Sequence, residues 1–371
     1  MGWPSSNRYR WLQVLVILAV LAVLGWMIPV PYYVVAPGSA MPVAPMVKIQ
    51  GVNPDEAGAF YLTTVSMKEG NVWNYLLAKY GADGELIAKQ EILSPGENSR
   101  EYFQRQEEIM RTSQDNAVIA AFHQAGKPVS VKLRGVKILR VVKGMPAEKV
   151  LKENDLIQAI DRQPVQTADQ LMQALKSRRP GERVRLRVVR DGKLREETVT
   201  LTRLPVMPGK TQAGIGIVPV TDRLVKTRPV IRLNAGNIGG PSAGLMFSLE
   251  IVNRLTPGDL TKGYRVAGTG TISPDGRVGQ IGGVEHKVVA AEREGATLFF
   301  VPKDIAPGDS NAKAAQATVR RLKLHIKVVP VATLQEAIRY LERLPQRRNT
   351  AFHQAETLTG RRDWHIITLF S

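Results

Sequence analysis

Gly236-Asn237-Ile238-Gly239-Gly240-Pro241-Ser242-Ala243-Gly244 opens, and Ile281-Gly282-Gly283-Val284-Glu285-His286-Lys287 closes, the stretch whose reading decides the fold. The four glycines of the opening segment leave little side-chain bulk and let another backbone approach. Pro241 suits the first position of a helix, where no N–H is needed. Leu245, Leu249, Val252 and Leu255 then share one face at helical spacing, and Thr256-Pro257-Gly258 stops the run. Ser242 is therefore expected in the first helical turn, beside N–H groups without intrahelical partners. Backbone N–H groups at Gly240, Ser242 and Ala243 would suit a developing oxyanion, which makes Ser242 a candidate acyl-transfer nucleophile.

A serine hydroxyl needs a base. Gly282-Gly283 reads as the start of a second helix, with Val284, Lys287, Val288 and Ala291 on one face. A lysine in an apolar stripe loses hydration, which lowers its pKa toward the range a general base needs. Both features also have plainer readings: a Gly-Gly-Pro-Ser turn can simply start a helix, and a lysine can snorkel past apolar neighbours.

Gly240-Pro241-Ser242-Ala243-Gly244 resembles the nucleophile motif of the Lon-type serine proteases, and Ile281 to Ala291 resembles their lysine motif. Their order and 45-residue separation are similar to the family's. The resemblance runs from about Ala213 to Leu344 and implies an α/β (α+β) proteolytic domain with a Ser242–Lys287 dyad that hydrolyses peptide bonds. Ala267-Gly268-Thr269-Gly270-Thr271-Ile272 is similar to the family's strand carrying a threonine near the lysine. Thr271 is its best match, as a hydrogen-bond partner of the amine or as an ordinary strand threonine. Some family members carry an acidic residue just before Gly-Pro-Ser; Gly239 stands there in this chain.

A second resemblance lies upstream. Strands are expected at Val136–Val142, Leu156–Ile160, Arg183–Val189 and Glu197–Thr202, with a hairpin turn at Asp191-Gly192 and a helix over Ala168–Ser177. Gly144-Met145-Pro146-Ala147, Leu151 and Asn154-Asp155-Leu156-Ile157-Gln158-Ala159-Ile160-Asp161 make residues 129–204 look like a PDZ domain. That resemblance implies binding of extended peptides by strand addition to a sheet edge. Gly135 and Val136 are a loose match to its peptide-binding loop.

Residues 1–10 carry Arg8 and Arg10, and Trp11 to Ile28 is an uncharged apolar run, just long enough to span a bilayer. Trp3, Tyr9 and Trp11 on one side and Trp26, Tyr32 and Tyr33 on the other bracket it like interfacial belts. The basic flank predicts a cytoplasmic N-terminus and an extracytoplasmic catalytic region. A cleaved signal peptide is the rival reading, with small residues at Gly38-Ser39-Ala40. Residues 29–128 hold no chemical motif and read as a linker or accessory region, packing beside the protease or lending it strands. Residues 345–371 read as a loosely ordered tail. Anchor, PDZ and protease in one chain are similar to the secreted PDZ-containing Lon-like proteases of bacteria, so the expected partners are peptide or protein substrates and the bacterial cell membrane. The resemblance also allows a homo-oligomeric ring.

Other chemistry has little support. The formal charge is +18, but no nucleic-acid motif accompanies it and no nucleic-acid partner is expected. There are no cysteines, so disulfides and cysteine-ligated metals are excluded. Gly209-Lys210-Thr211 imitates a phosphate loop, but Leu204 stands where its first glycine should be. No cofactor is expected, and no ATPase module accompanies the protease. Of the histidines, His286 adjoins Lys287, but helix neighbours point about 100° apart and both cannot face Ser242 equally. A catalytically silent peptide-binding adaptor is the rival from outside catalysis.

Overall fold

The computed structural model describes residues 5–52, 57–81, 84–94, 96–207 and 210–347. Most of the expected C-terminal tail lies outside them. The chain begins with α1 (Ser5–Met27), β1 (Pro29–Pro42), β2 (Val47–Ile49), β3 (Ala59–Asn71), α2 (Val72–Tyr80), β4 (Glu85–Ala88) and α3 (Ser99–Gln124). It then enters a β-rich module: β5 (Val129–Val141), β6 (Leu156–Ile160), α4 (Ala168–Lys176), β7 (Arg183–Arg190), β8 (Lys193–Thr200) and β9 (Ile217–Thr227). It returns through β10 (Ile231–Leu233), α5 (Gly244–Leu255), β11 (Arg265–Gly268), α6 (Val284–Arg293), β12 (Leu298–Pro302), α7 (Asn311–Leu322), β13 (Lys327–Val331) and α8 (Leu334–Glu342).

The central sheet has the order β13-β12-β11-β3-β1-β4. β13, β12, β11 and β3 run parallel, while β1 is antiparallel to both β3 and β4. Half of this sheet comes from before the β-rich module and half from after it. Residues 29–128 are therefore not a linker: they supply β1, β3 and β4, and α3 packs with α5 in the same core. β2 pairs with β10 across the same divide. The module is an insertion within the larger fold, between α3 and β10.

Helix α5 is apolar nearly all round, and Gly244 to Asn253 are all buried, as expected of a helix sandwiched between a sheet and another helix. Its one carboxylate, Glu250, pairs with Arg254 one turn on at 2.6 Å, and that guanidinium also donates to the Val47 and Ala44 carbonyls. α3 starts with a reciprocal capping box between Asn98 and Glu101. The inserted module has its own core, including Val136, Ile138, Ile157, Leu171, Leu186 and Val199. Buried Asp155 meets half-buried Arg190 there through two hydrogen bonds of 2.7 and 2.6 Å. Its sheet has the order β9-β5-β6-β7-β8, so it extends past the expected boundary at residue 204 to include β9.

Phe60 on β3 is fully buried in the shared core. Phe60→Ala should therefore cost about 3–5 kcal/mol in urea unfolding of the full chain; a near-neutral change would mean that this segment does not belong to the catalytic core.

Candidate active site

The serine and the lysine meet where two loops converge on the ends of β11 and β3. Lys287 is buried on α6, 4% exposed, and its Nζ lies 2.6 Å from Ser242 Oγ. Helix α6 begins after Gly283, whose φ of 67° is left-handed; a Cβ there would also come within 3.0 Å of Val65 Cγ1 on β3. The Asn311 side chain holds both the N–H and the carbonyl of Ile281, at 2.8 and 2.9 Å, which fixes the entry into the helix. Burial alone brings the Lys287 pKa down from 10.5 to about 7. An ammonium there has lost its hydration, so the neutral amine becomes accessible near neutral pH.

Ser242 stands just before α5, which starts at Gly244 with Ala243 as its cap, rather than inside the first turn. Its carbonyl accepts hydrogen bonds from Gly270 N–H at 2.8 Å and from Thr269 Oγ1 at 3.2 Å. On the other side Ser113 Oγ of α3 donates to the Pro241 carbonyl at 2.8 Å. The nucleophile loop is thus clamped between α3 and the end of β11. This packing accounts for Gly239: a Cβ there would lie 2.8 Å from Gln106 Cβ, so an acidic side chain has no room.

Three further expectations change. The threonine that touches the amine is Thr269, fully buried with Oγ1 3.1 Å from Lys287 Nζ, whereas Thr271 lies in the following short strand and meets Gly279. Along an extended strand the two would share a face; the backbone at Gly270, with φ 157°, separates them. The glycines flanking Thr269 were the available signal, since Gly268 and Gly270 mark a close backbone approach. Second, the Gly240 N–H donates to the Gln106 carbonyl at 2.9 Å and is not free for an oxyanion. Among the described residues, the Ser242 and Ala243 N–H groups have no acceptor. Third, Gly135 and Val136 do not form an open peptide-binding loop. They lie on β5, which is flanked by β9 on one side and β6 on the other, and Val136 pairs with both Thr221 and Ile157. No free edge remains there. The free edge beside a helix belongs to β9, where Ala168 N–H at the start of α4 donates to Thr221 Oγ1 at 3.0 Å.

The dyad opens into a cleft of about 1230 Å³, larger than a typical small-ligand pocket and lined by Val65, Met67, Ile87, Phe103, Ile238 and Ile281 among others. His286 also lines it, but its Nε2 lies 3.3 Å from Glu85 Oε2, while the hydroxyl of Ser242 meets Lys287. Among the described residues the Ser–His arrangement finds no geometric support; His353 and His365 lie outside them.

Residues 108–201 match the PDZ domain family, and residues 227–342 match the Lon protease (S16) C-terminal proteolytic domain. The chain is 33% identical over 101 residues to a Lon protease of Neorickettsia sennetsu, covering 27% of this chain and 11% of that protein. It is 37% identical over 99 residues to a probable periplasmic serine endoprotease, DegP-like, of Chlamydia muridarum, covering 26% of this chain and 20% of that one. Among solved structures, the PDZ domain of the SdrC-like protein of Listeria monocytogenes is 27% identical, with a TM-score of 0.23 over 24% of this chain and 93% of that one. The chain thus spans only about a tenth to a fifth of the length of these curated relatives. It carries a PDZ domain and a Lon-type proteolytic domain, with one apolar N-terminal helix long enough for a membrane span or a signal sequence.

Thr269→Val removes both the acceptor for the amine and the donor to the Ser242 carbonyl. Peptide hydrolysis should fall about 10- to 100-fold, as expected for a displaced reacting group. Thr271→Val should leave the rate within about twofold; equal losses from both would remove the assignment to Thr269.

Proposed function

We propose that this chain, a PDZ domain set into a Lon-type proteolytic domain, is a membrane-anchored serine endopeptidase that works without ATP through a Ser242–Lys287 dyad. The observation that carries this reading is the 2.6 Å contact between a buried lysine amine and a serine hydroxyl at the floor of a large cleft. Neutral Lys287 accepts the Ser242 proton as Oγ attacks the peptide carbonyl. The Ser242 and Ala243 N–H groups face the oxyanion, and Lys287 then returns the proton to the leaving amine. Water repeats the sequence on the acyl-enzyme, with Lys287 again as base. Thr269 orients the amine without itself exchanging a proton with substrate. Helix α1 serves as the anchor, with its basic N-terminal flank in the cytoplasm.

The base must be neutral, so kcat/KM should rise with pH through about 7 and level off above it, falling about tenfold per unit on the acid side. Ser242→Ala should lower cleavage of casein or an unstructured peptide by at least about a thousandfold while leaving the circular dichroism spectrum unchanged. Equal turnover by wild type and Ser242→Ala would refute the mechanism; no turnover by either would favour the silent adaptor.

The PDZ domain presents extended substrates. We assign the peptide to the edge of β9 beside α4, because β5 has both neighbours already. A photoreactive peptide should leave adducts on residues 168–176 and 217–222; adducts confined to 134–138 would overturn the assignment.

A further inference from the structure

Helix α2 leaves a stripe of large apolar side chains facing out. Trp73, Leu76, Leu77 and Tyr80 stand at i, i+3, i+4 and i+7, the spacing of a core-facing stripe. Yet all four are exposed, Leu77 by 69% and Tyr80 by 77%, and no residue of α2 is buried. The side turned toward the protein carries Val72, Asn74, Tyr75 and Ala78. A stripe of this composition facing water marks an interaction surface.

Its location identifies the occupant. Trp73 Nε1 donates to the Ala22 carbonyl of α1 at 2.7 Å, and the indole lies so close to Gly25 that a Cβ there would approach it to 2.5 Å. α2 is therefore docked on the C-terminal third of the apolar helix, next to exposed Trp26 and Met27. Ala22 precedes Met27 by five residues, or about 7.5 Å at the helical rise. Amphipathic helices that lie in a membrane interface are immersed by about 5–10 Å. The aromatic and basic content also fits that boundary: Lys79 Nζ stands 5.6 and 5.7 Å from the Tyr75 and Tyr80 rings.

We propose that α2 lies in the plane of the lipid bilayer, with Trp73, Leu76, Leu77 and Tyr80 immersed at the headgroup–acyl boundary. This rests on the reading of α1 as a retained anchor. It also brings the cleft near the lipid surface. Gly84 abuts Ala78, with a Cβ at position 84 only 3.3 Å from that methyl, and Gly84, Glu85 and Ile87 belong to the cleft wall. The wall lies about one helix diameter, 10–12 Å, from the membrane. Substrate segments that emerge from the bilayer would reach Ser242 over the shortest path.

The chain has no cysteine, so single-cysteine nitroxide labelling is clean. The full-length protein carrying Leu77→Cys, Leu18→Cys or Leu194→Cys is reconstituted in vesicles of phosphatidylethanolamine and phosphatidylglycerol, and label accessibility to oxygen and to a nickel chelate is compared. Leu18 reports the anchor and Leu194 the aqueous PDZ surface. The expected result is an oxygen-over-nickel ratio at positions 18 and 77 several-fold above that at 194. If position 77 resembles 194 while 18 favours oxygen, α2 is in water and the inference fails with the anchor intact. If 77 is shielded from both reagents, a protein surface covers the stripe and lipid is excluded as its occupant. If 18 also reports water, the anchor reading falls and this inference falls with it.

Discussion

The structure depends on keeping one amine dry. The Lys287 pKa is brought down to about 7 by loss of hydration alone, so every wall that excludes water from Nζ helps to set it. Those walls come from distant parts of the chain. Val65 of β3 closes on Gly283, Thr63 of β3 donates to the Gly268 carbonyl at 3.1 Å, and Thr269 stands between the amine and the nucleophile loop. A base desolvated in this way needs no neighbouring charge to tune it, but it needs a complete fold around it.

The PDZ insertion is bound to the same framework. Lys137 and Arg140 on β5 reach Glu108 and Glu101 of α3, at 3.3 and 3.2 Å. Arg223 on β9 donates to the Thr112 carbonyl and to Asn116 Oδ1 of α3, at 2.9 and 2.6 Å. Helix α3 also holds the nucleophile loop through Ser113 and Gln106. The PDZ sheet and the Ser242 loop are thus mounted on neighbouring faces of one helix, and β9 leads directly through β10 into the Gly-rich loop. Mounting on a rigid element keeps a reactive geometry within a few tenths of an ångström.

What the sequence disclosed was local. The Ser242 loop, the α6 stripe with Lys287, the hairpin at Asp191-Gly192 and the apolar N-terminal run all declare themselves through spacing and turn chemistry. The features it concealed are set by pairing across long separations. The register that joins Ala59 to Arg265 links residues some two hundred positions apart and leaves no periodic trace in either strand. Nothing in Phe60 to Met67 distinguishes a strand of the catalytic sheet from one in an accessory domain. Gly135 misled for the same reason: a glycine before a strand resembles a binding loop until the neighbours on both edges are known. Thr269 and Thr271 were indistinguishable by period, because the difference lies in one backbone angle at Gly270.

Splitting the catalytic sheet around an insertion also orders events during biosynthesis. On the proposed topology the chain crosses the membrane N-terminus first, and domains tend to fold as their residues appear. The PDZ core is complete once β9 has emerged, whereas β3 must wait for β11, and the base arrives later still on α6. Until then the amine that meets Ser242 is not in place. On the proposed dyad, strand order alone then withholds activity from the growing chain until the last elements of the fold are in place.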